Sequence, residues 1–185
     1  EMRLPPERIE GLRLAAVLHD IGKITVPAEI LASPRKLTAN EFEIIKMHPT
    51  VGYDILKDIG FPTPVARIVL QHHERLDGSG YPAGLKQEQI LLEARILCVA
   101  DVVEAMASHR PYRPGLGVPK ALQEISERKG QLYDSDVVSA CVGLFQSKQF
   151  EDTKRQVVRR PWGILENPTF ERMFSHPPRK LTLFE

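Results

Sequence analysis

The sequence predicts an all-α fold, a bundle of six or seven helices. Apolar residues recur with helical spacing along most of the chain, and strict alternation of apolar and polar residues is scarce. Prolines and glycines divide the chain into segments of helical length. With 185 residues, of which 42% are hydrophobic, the chain is long enough to bury a core of its own.

Two helical regions are predicted before residue 61. The first covers residues 6–20 and ends near Gly22, with a single apolar face. That face comprises Ile9, Leu12, Ala16, Val17 and Leu18. A capping box at residues 38–41, in which Thr and Glu satisfy each other's backbone donors, begins the second region. Pro49 interrupts or restarts this helix, and helical spacing then continues to Gly60.

The remaining elements follow a proline and a glycine-rich loop. Pro64 begins a helix that leads into His72 and His73, and residues 77–86 form a polar loop. Three further helices are predicted, at residues 90–108, 119–129 and 135–145. Residues 1–150 are therefore predicted to form one domain. Residues 151–185, interrupted by four prolines, are predicted to pack on the bundle or trail from it.

Charge and composition narrow the classes of partner. The chain has 25 Lys and Arg against 24 Asp and Glu, a net charge of +1, so nothing global favours a nucleic acid polymer or a membrane surface. No segment reaches the ~18 apolar residues of a membrane-spanning helix, and no leader sequence opens the chain. Cys98 and Cys141 are predicted to be buried free thiols, which fits a cytoplasmic protein.

Adjacent acidic and imidazole side chains end the first helix, at His19 and Asp20. Neighbouring helical side chains point ~100° apart, so this pair suits two adjacent metal ions better than one. Asp20 can bridge two ions because a carboxylate has two oxygens. For an isolated His-Asp pair, a solvent-exposed helix end is the alternative interpretation.

Further candidate metal ligands lie on other helices. His72 and His73 stand side by side at a helix end, and imidazole is a common ligand of divalent transition metals. His48, taken alone, is more typical of a structural histidine on the surface or in the core. Asp101 lies in a helix too apolar to hide an unpaired carboxylate cheaply. Together with His19, these residues supply five candidate ligands from four helices, with Asp20 as a bridge.

Two segments are candidates for holding a nucleotide. Gly78 and Gly80 permit close backbone approach in the loop, where Tyr81 would stack on a ligand or donate its hydroxyl. Arg110 and Arg113 flank a rigid turn, and their fork-shaped donors suit phosphate oxygens. An ordinary tight loop and an exposed basic turn are the respective alternatives.

In order and spacing these motifs resemble the HD-GYP family, over residues 8–145. The matching segments are Leu18-His19-Asp20-Ile21-Gly22-Lys23, His48-Pro49, His72-His73-Glu74-Arg75, Asp77-Gly78-Ser79-Gly80-Tyr81-Pro82, Asp101 and Arg110-Pro111-Tyr112-Arg113. The Gly-Tyr-Pro loop marks this branch of the HD superfamily. The resemblance implies an HD-superfamily helical bundle and a metal-dependent phosphodiesterase.

The resemblance also implies a role for each site residue. Two divalent transition metals, iron or manganese, would share Asp20 as a bridge. One ion would take His19 and Asp101, and the other would take His48, His72 and His73. Lys23 would lie beside the bridging hydroxide or a substrate phosphate, with Asp20 and Lys23 as the catalytic pair. The substrate would be held by Gly80, Tyr81, Arg110 and Arg113.

The implied substrate is the bacterial second messenger cyclic di-GMP, hydrolysed to linear pGpG, to GMP, or to both. The alternatives are another HD-superfamily nucleotide phosphohydrolase, and a catalytically impaired module that acts by recruiting proteins such as diguanylate cyclases. Family members carry a further ligand helix upstream of the His-Asp pair, which has no counterpart in a chain beginning at Glu1. We therefore expect an N-terminal sensory or receiver module upstream, and a weakened metal site and reduced activity in this chain.

Overall fold

The computed structural model of the chain describes residues 2–108 and 115–147. Within these two ranges the fold is all-α, as predicted, and the β-structure described there is limited to isolated bridges. Seven α-helices have seven residues or more, and one is a single turn. The helices are α1 (Pro6–Leu18), α2 (Ala28–Leu31), α3 (Ala39–Lys46), α4 (His48–Leu56), α5 (Val65–Gln71), α6 (Leu92–Ala107), α7 (Val118–Glu127) and α8 (Ser135–Gln146). Short 3-10 helices cover Ile21–Thr25 and Gln87–Gln89.

Helix α1 buries only part of the face that was predicted. Val17 is 64% exposed and Ile9 is 41% exposed, whereas Gly11 and Ala15 are buried. Ala15 belongs to the core cluster that includes residues of α5, and Gly11, four positions earlier on the same face, lies against the side chain of Thr63 just before α5. Leu12 and Leu18 are partly buried and pack against the core as predicted, whereas the prediction is wrong for Ile9, Ala16 and Val17, which are exposed.

The boundary between α3 and α4 follows its sequence signals. The backbone N–H of Thr38 donates to the Glu41 carboxylate at 2.8 Å, and the Glu41 N–H donates to the Thr38 hydroxyl at 3.3 Å, so the predicted capping box is confirmed. Pro49 lies in the first turn of α4, where a missing N–H costs no hydrogen bond. Helix α4 ends at Leu56, earlier than the predicted Gly60.

The apolar core consists of two clusters that meet along α6. The first is formed by α1, α4, α5 and the start of α6, and the second by the rest of α6 with α7 and α8. Its buried members are Ala15, Leu56, Val65, Ile68, Val69, Ile90, Ala94 and Leu97 in the first cluster, and Cys98, Val99, Val103, Ala121, Ile125, Tyr133, Val137 and Val138 in the second. The first cluster lies beneath the candidate ligands, which are borne by the ends of its own helices and by α6.

The remaining predictions concern the cysteines, a membrane-spanning helix and residues that the structure does not describe. Cys98 and Cys141 are free thiols, but only Cys98 is fully buried. No helix in the described part of the chain is long and apolar enough to cross a membrane. Arg110, Arg113 and the extension at 151–185 lie outside the described residues, so the roles and the packing proposed for them stay predictions.

Candidate metal centre

The six candidate ligands converge on one place, from four helices. His19 and Asp20 follow the last turn of α1, His48 is the first residue of α4, and His72 and His73 follow α5. Asp101 lies in the middle of α6. Several helices begin or end at this site. The chain turns at these points, so neighbouring residues can point towards a common centre. The role of each side chain as a ligand stays a prediction.

Asp20 lies between two imidazoles. Its Oδ1 is 3.4 Å from the Nε2 of His48, and its Oδ2 is 3.6 Å from the Nε2 of His19. The two oxygens of one carboxylate therefore face different histidines, which is the geometry that a bridging ligand requires. Lys23 donates to the same Oδ2 at 2.6 Å.

Asp101 lies on the other side of the centre. Its Oδ1 is 3.9 Å from the Nε2 of His19, and its Oδ2 is 3.9 Å from the Nδ1 of His73. These separations exceed hydrogen-bond length, so the carboxylate faces both imidazoles without bonding to either. A cation between these groups would be within reach of all three side chains.

Three of the imidazoles are oriented by the same backbone device. The Nδ1 of His19, His48 and His72 lies 2.6–2.7 Å from the carbonyl oxygen of the residue three positions earlier. A carbonyl only accepts hydrogen bonds, so each Nδ1 carries a proton, and in a neutral ring the Nε2 then presents a lone pair. Metal-ligating histidines are commonly oriented in this way.

The buried pair of His48 and His72 needs a cation. Their Nε2 atoms face each other at 3.3 Å, and both side chains are almost completely buried. Two lone pairs at this distance repel each other unless a proton or a metal ion lies nearby. Burial lowers the pKa of both rings, that of His72 to about 3, so a shared proton is disfavoured.

His73 completes a group that fits a metal. One ligand atom from each of His48, His72 and His73 lies within 4.8 Å of the others. Three neutral imidazoles with carboxylates nearby are a donor set that suits a divalent transition metal such as iron, manganese or zinc. Burial, followed by the neighbouring His72, holds the pKa of His73 far below its usual range, so this ring is neutral as well.

The two carboxylates differ in their electrostatic surroundings. Burial alone would raise the pKa of Asp20, but the hydrogen bond and charge of Lys23 outweigh it and the pKa is lowered. Burial raises the pKa of Asp101, and the cation of Lys23 and the ring of His19 only partly offset this. Asp20 is thus held as an anion, whereas Asp101 lacks a close cation of its own among the described groups.

Gly22 allows the 3-10 helix at Ile21–Thr25 to lie directly on the start of α4. A Cβ at this position would overlap the carbonyl oxygen of His48 and lie 2.6 Å from the N of Gly52. The absence of a side chain therefore brings Asp20 and Lys23 up to His48. The sequence identified Gly22 as a helix terminator but not as this packing contact.

The Gly-Tyr-Pro loop lies against the two histidines that follow α5. The ring of Tyr81 stacks on that of His73, with centroids 4.8 Å apart and planes 28° apart. The backbone N–H of Tyr81 donates to the carbonyl of His73 at 3.3 Å. A Cβ at Gly80 would overlap the backbone of Glu74 and Arg75, so only glycine permits this approach. Tyr81 and Gly80 thus line the candidate centre, whereas binding of substrate by them stays a prediction.

Glu74 holds this loop and was assigned no role from the sequence. Its side chain is 2% exposed, and its two oxygens accept the backbone N–H groups of Ala83 at 2.7 Å and Leu85 at 3.0 Å. A carboxylate directly after a pair of buried histidines is a signal in the sequence, because burying it demands strong partners. The identity of those partners required the structure.

Comparison with known proteins identifies the family to which the chain belongs. Residues 1–137 match the family described as HD domain. The chain is 43% identical over 158 residues to a cyclic di-GMP phosphodiesterase of Thermotoga maritima, covering 84% of this chain and 42% of that protein. It is 38% identical over 129 residues to the 3'3'-cGAMP-specific phosphodiesterase 3 of Vibrio cholerae, covering 70% of this chain and 28% of that protein. The chain therefore spans less than half the length of these relatives.

A solved structure supports the fold. The HDG"Y"P protein from Bdellovibrio bacteriovorus superposes with a TM-score of 0.62 at 19% sequence identity. The superposition covers 78% of this chain and 46% of that one. At this level of identity the likeness extends to the helical architecture alone.

Proposed function

Since the chain belongs to the HD domain family, in its HD-GYP branch, we propose that it is a metal-dependent phosphodiesterase acting on cyclic di-GMP. The products would be linear pGpG, GMP or both. The observation that carries the proposal is the group of His48, His72 and His73, each with a ligand nitrogen within 4.8 Å of the others, beside the carboxylate of Asp20. Such a group has little use without a cation.

The proposed ligand sets are those implied by the motifs. His19 and Asp101 would hold one divalent ion. The other ion would be held by His48, His72 and His73, and Asp20 would bind both ions. The ions, iron or manganese in this proposal, would supply Lewis-acid chemistry and lower the pKa of a water. Low occupancy of the His19 and Asp101 side is part of the proposal, since the ligands proposed for it among the described residues are these two and the shared Asp20.

The chain's own residues would do the remaining work. One water adds to phosphorus, the P–O3′ bond breaks, and the 3′ oxygen leaves with a proton. Lys23, held by Asp20 at 2.6 Å, would offset negative charge on the non-bridging oxygens of the phosphate. Tyr81 and Gly80 would form the wall that meets the nucleotide. Arg110 and Arg113 would hold the nucleotide phosphates.

The cellular setting is part of the same proposal. We propose that the protein acts in the cytoplasm, which agrees with two free thiols among the described residues. A sensory or receiver module upstream of this chain, and diguanylate cyclases as partners, are the proposed regulatory context. Pull-down of a diguanylate cyclase by this chain would test the last of these.

The test is hydrolysis by the chain after anaerobic loading with Fe(II) or Mn(II). We expect linear pGpG by chromatography, and loss of at least 100-fold in rate for Asp20→Asn, because removing a charged group that serves the reacting centre commonly costs that much. Asp54→Asn is the matched control: Asp54 is an exposed carboxylate on α4 that pairs with Lys57. Absence of hydrolysis by fully loaded protein, or full activity of Asp20→Asn, would refute the proposal.

The second candidate substrate is 3'3'-cGAMP. It is favoured by the relative of that specificity in Vibrio cholerae, at 38% identity. Both cyclic dinucleotides present two phosphodiesters and differ in one base, so the described metal ligands do not distinguish them. Comparing kcat/KM for the two substrates on one preparation decides between them.

A further inference from the structure

The ring of Tyr81 is covered by two groups. The imidazole of His73 stacks on it, and the ammonium of Lys46 lies 5.6 Å from the same ring centroid. Since the imidazole occupies one face, we assign the ammonium to the other. A nucleobase therefore finds neither face of Tyr81 open for stacking, and a substrate meets the hydroxyl and the edge of the ring.

We infer that Lys46 is a positioning residue of this site, which holds the Tyr81 ring against His73 and so fixes where the tyrosine hydroxyl points. A cation is attracted to the face of an aromatic ring, and more strongly when the ring is withdrawn from water. Tyr81 is half-buried, so this condition is partly met. The inference rests on the proposed function only for the identity of the substrate.

Lys46 is itself aimed by its own helix. It is the last residue of α3, and its ammonium donates to both carboxylate oxygens of Glu43, at 2.9 and 3.2 Å. The ammonium is thus held between a carboxylate one turn earlier and the aromatic ring. Only one residue separates Lys46 from His48, so the same short segment presents a candidate metal ligand and the cation over Tyr81.

The hydroxyl that this arrangement presents is a donor. A phenol, whose ordinary pKa is about 10, is protonated at neutral pH. A protonated phenol donates a hydrogen bond to a phosphate or carbonyl oxygen of a nucleotide. Lys46 would serve this contact through the ring, without touching the substrate.

The first experiment observes the ring directly, in the whole chain labelled with fluorotyrosine. The chain has four tyrosines, and Tyr81→Phe assigns the ¹⁹F resonance of interest. We expect Lys46→Met to shift that resonance and Lys46→Arg to restore it. Lys57→Met is the matched control, since Lys57 forms the equivalent i,i+3 pair with Asp54 on α4. An unchanged Tyr81 resonance in Lys46→Met overturns the inference.

The second experiment separates positioning from direct contact. With cyclic di-GMP as substrate, we expect Lys46→Met to raise KM about threefold to tenfold, the size of a lost cation–π contact, with a smaller change in kcat. In the Tyr81→Leu background the same substitution should change KM no further, because the pair acts as a unit. Additive effects would mean that Lys46 acts on the substrate itself, which contradicts the inference.

The two experiments fail independently. If loaded wild-type protein does not hydrolyse cyclic di-GMP, the proposed function fails, and the fluorine measurement still decides whether Lys46 positions Tyr81. If hydrolysis is present but the Tyr81 resonance ignores Lys46, the proposed function stands and this inference falls.

Discussion

Replacing Glu74 by Gln tests how the Gly-Tyr-Pro loop is held over the candidate metal centre. The wild-type carboxylate is 2% exposed and accepts one backbone N–H on each oxygen, from Ala83 and Leu85. Glutamine has the same shape but only one acceptor oxygen. Its amide nitrogen would therefore face one of the two N–H groups, donor against donor.

The magnitude follows from these two bonds. A hydrogen bond to a charged group contributes about 1.5–3 kcal/mol, and a buried N–H left unpaired costs about 1–3 kcal/mol. We expect Glu74→Gln to lose one bond outright and the charge assistance of the other, about 2–4 kcal/mol in free energy of unfolding. For a chain of this length that corresponds to a Tm lower by roughly 5–15 °C.

Thermal melts and hydrogen exchange together measure the effect. Amide exchange in residues 77–86 should accelerate in Glu74→Gln by more than in the rest of the bundle, because the lost bonds anchor that loop. Glu93→Gln is the matched control, a carboxylate that is 5% exposed and accepts from Arg8 at 2.6 Å, with no bond to the loop. Equal exchange in the loop of both variants, or a Tm like that of the wild type, would refute this account.

Three further predictions concern packing, pH and metal. Gly22→Ala should lower Tm by several degrees, since overpacking costs about 1–3 kcal/mol, and should also lower metal content by elemental analysis; metal content equal to wild type would contradict the packing role. The pKa of Glu41 is lowered from 4.5 to about 2, first by Arg35 and then by Thr38, so its stabilisation is complete above about pH 4.5 and is lost as pH falls towards 2. The difference in Tm between wild type and Glu41→Gln should therefore shrink over that range, and a constant difference would be inconsistent with it. Mn(II) or Zn(II) at about 100 times its Kd should stabilise the protein by about 2.7 kcal/mol, seen as a higher Tm, and His72→Ala should remove most of that rise.

Helix identity was readable from the sequence because the signals are local. The capping box at Thr38 and the proline at the start of α4 are each satisfied within one turn of chain, and both lie where predicted. The buried face of α1 was not readable in this way. It depends on α5, which approaches the small residues Gly11 and Ala15 and leaves Val17 in solvent.

The candidate ligands were readable as residue types, while their geometry was not. Imidazoles beside apolar segments indicated a centre, but the sequence does not say that the Nδ1 of His48 meets the carbonyl of Ile45. That contact, and its counterpart at His72, determines which nitrogen faces the centre. No role for Lys46 was predicted from the sequence, because a lysine paired with a glutamate one turn earlier is typical of a solvated helix face.

Apart from Asp101, which lies in the middle of α6, the site is assembled from helix ends, and this accounts for both its precision and its dependence on loops. A histidine that follows a helix can donate a hydrogen bond from its Nδ1 to a carbonyl of the last turn, as His19 and His72 do. This hydrogen bond fixes the ring without any other side chain. The backbone thus performs the orienting work that many metal sites assign to separate carboxylates. The acidic residue next to these histidines is then free for another task, and Glu74 uses its charge to fasten the loop that covers His73. Loss of that anchor should therefore disturb the wall of the site before it disturbs the ligands.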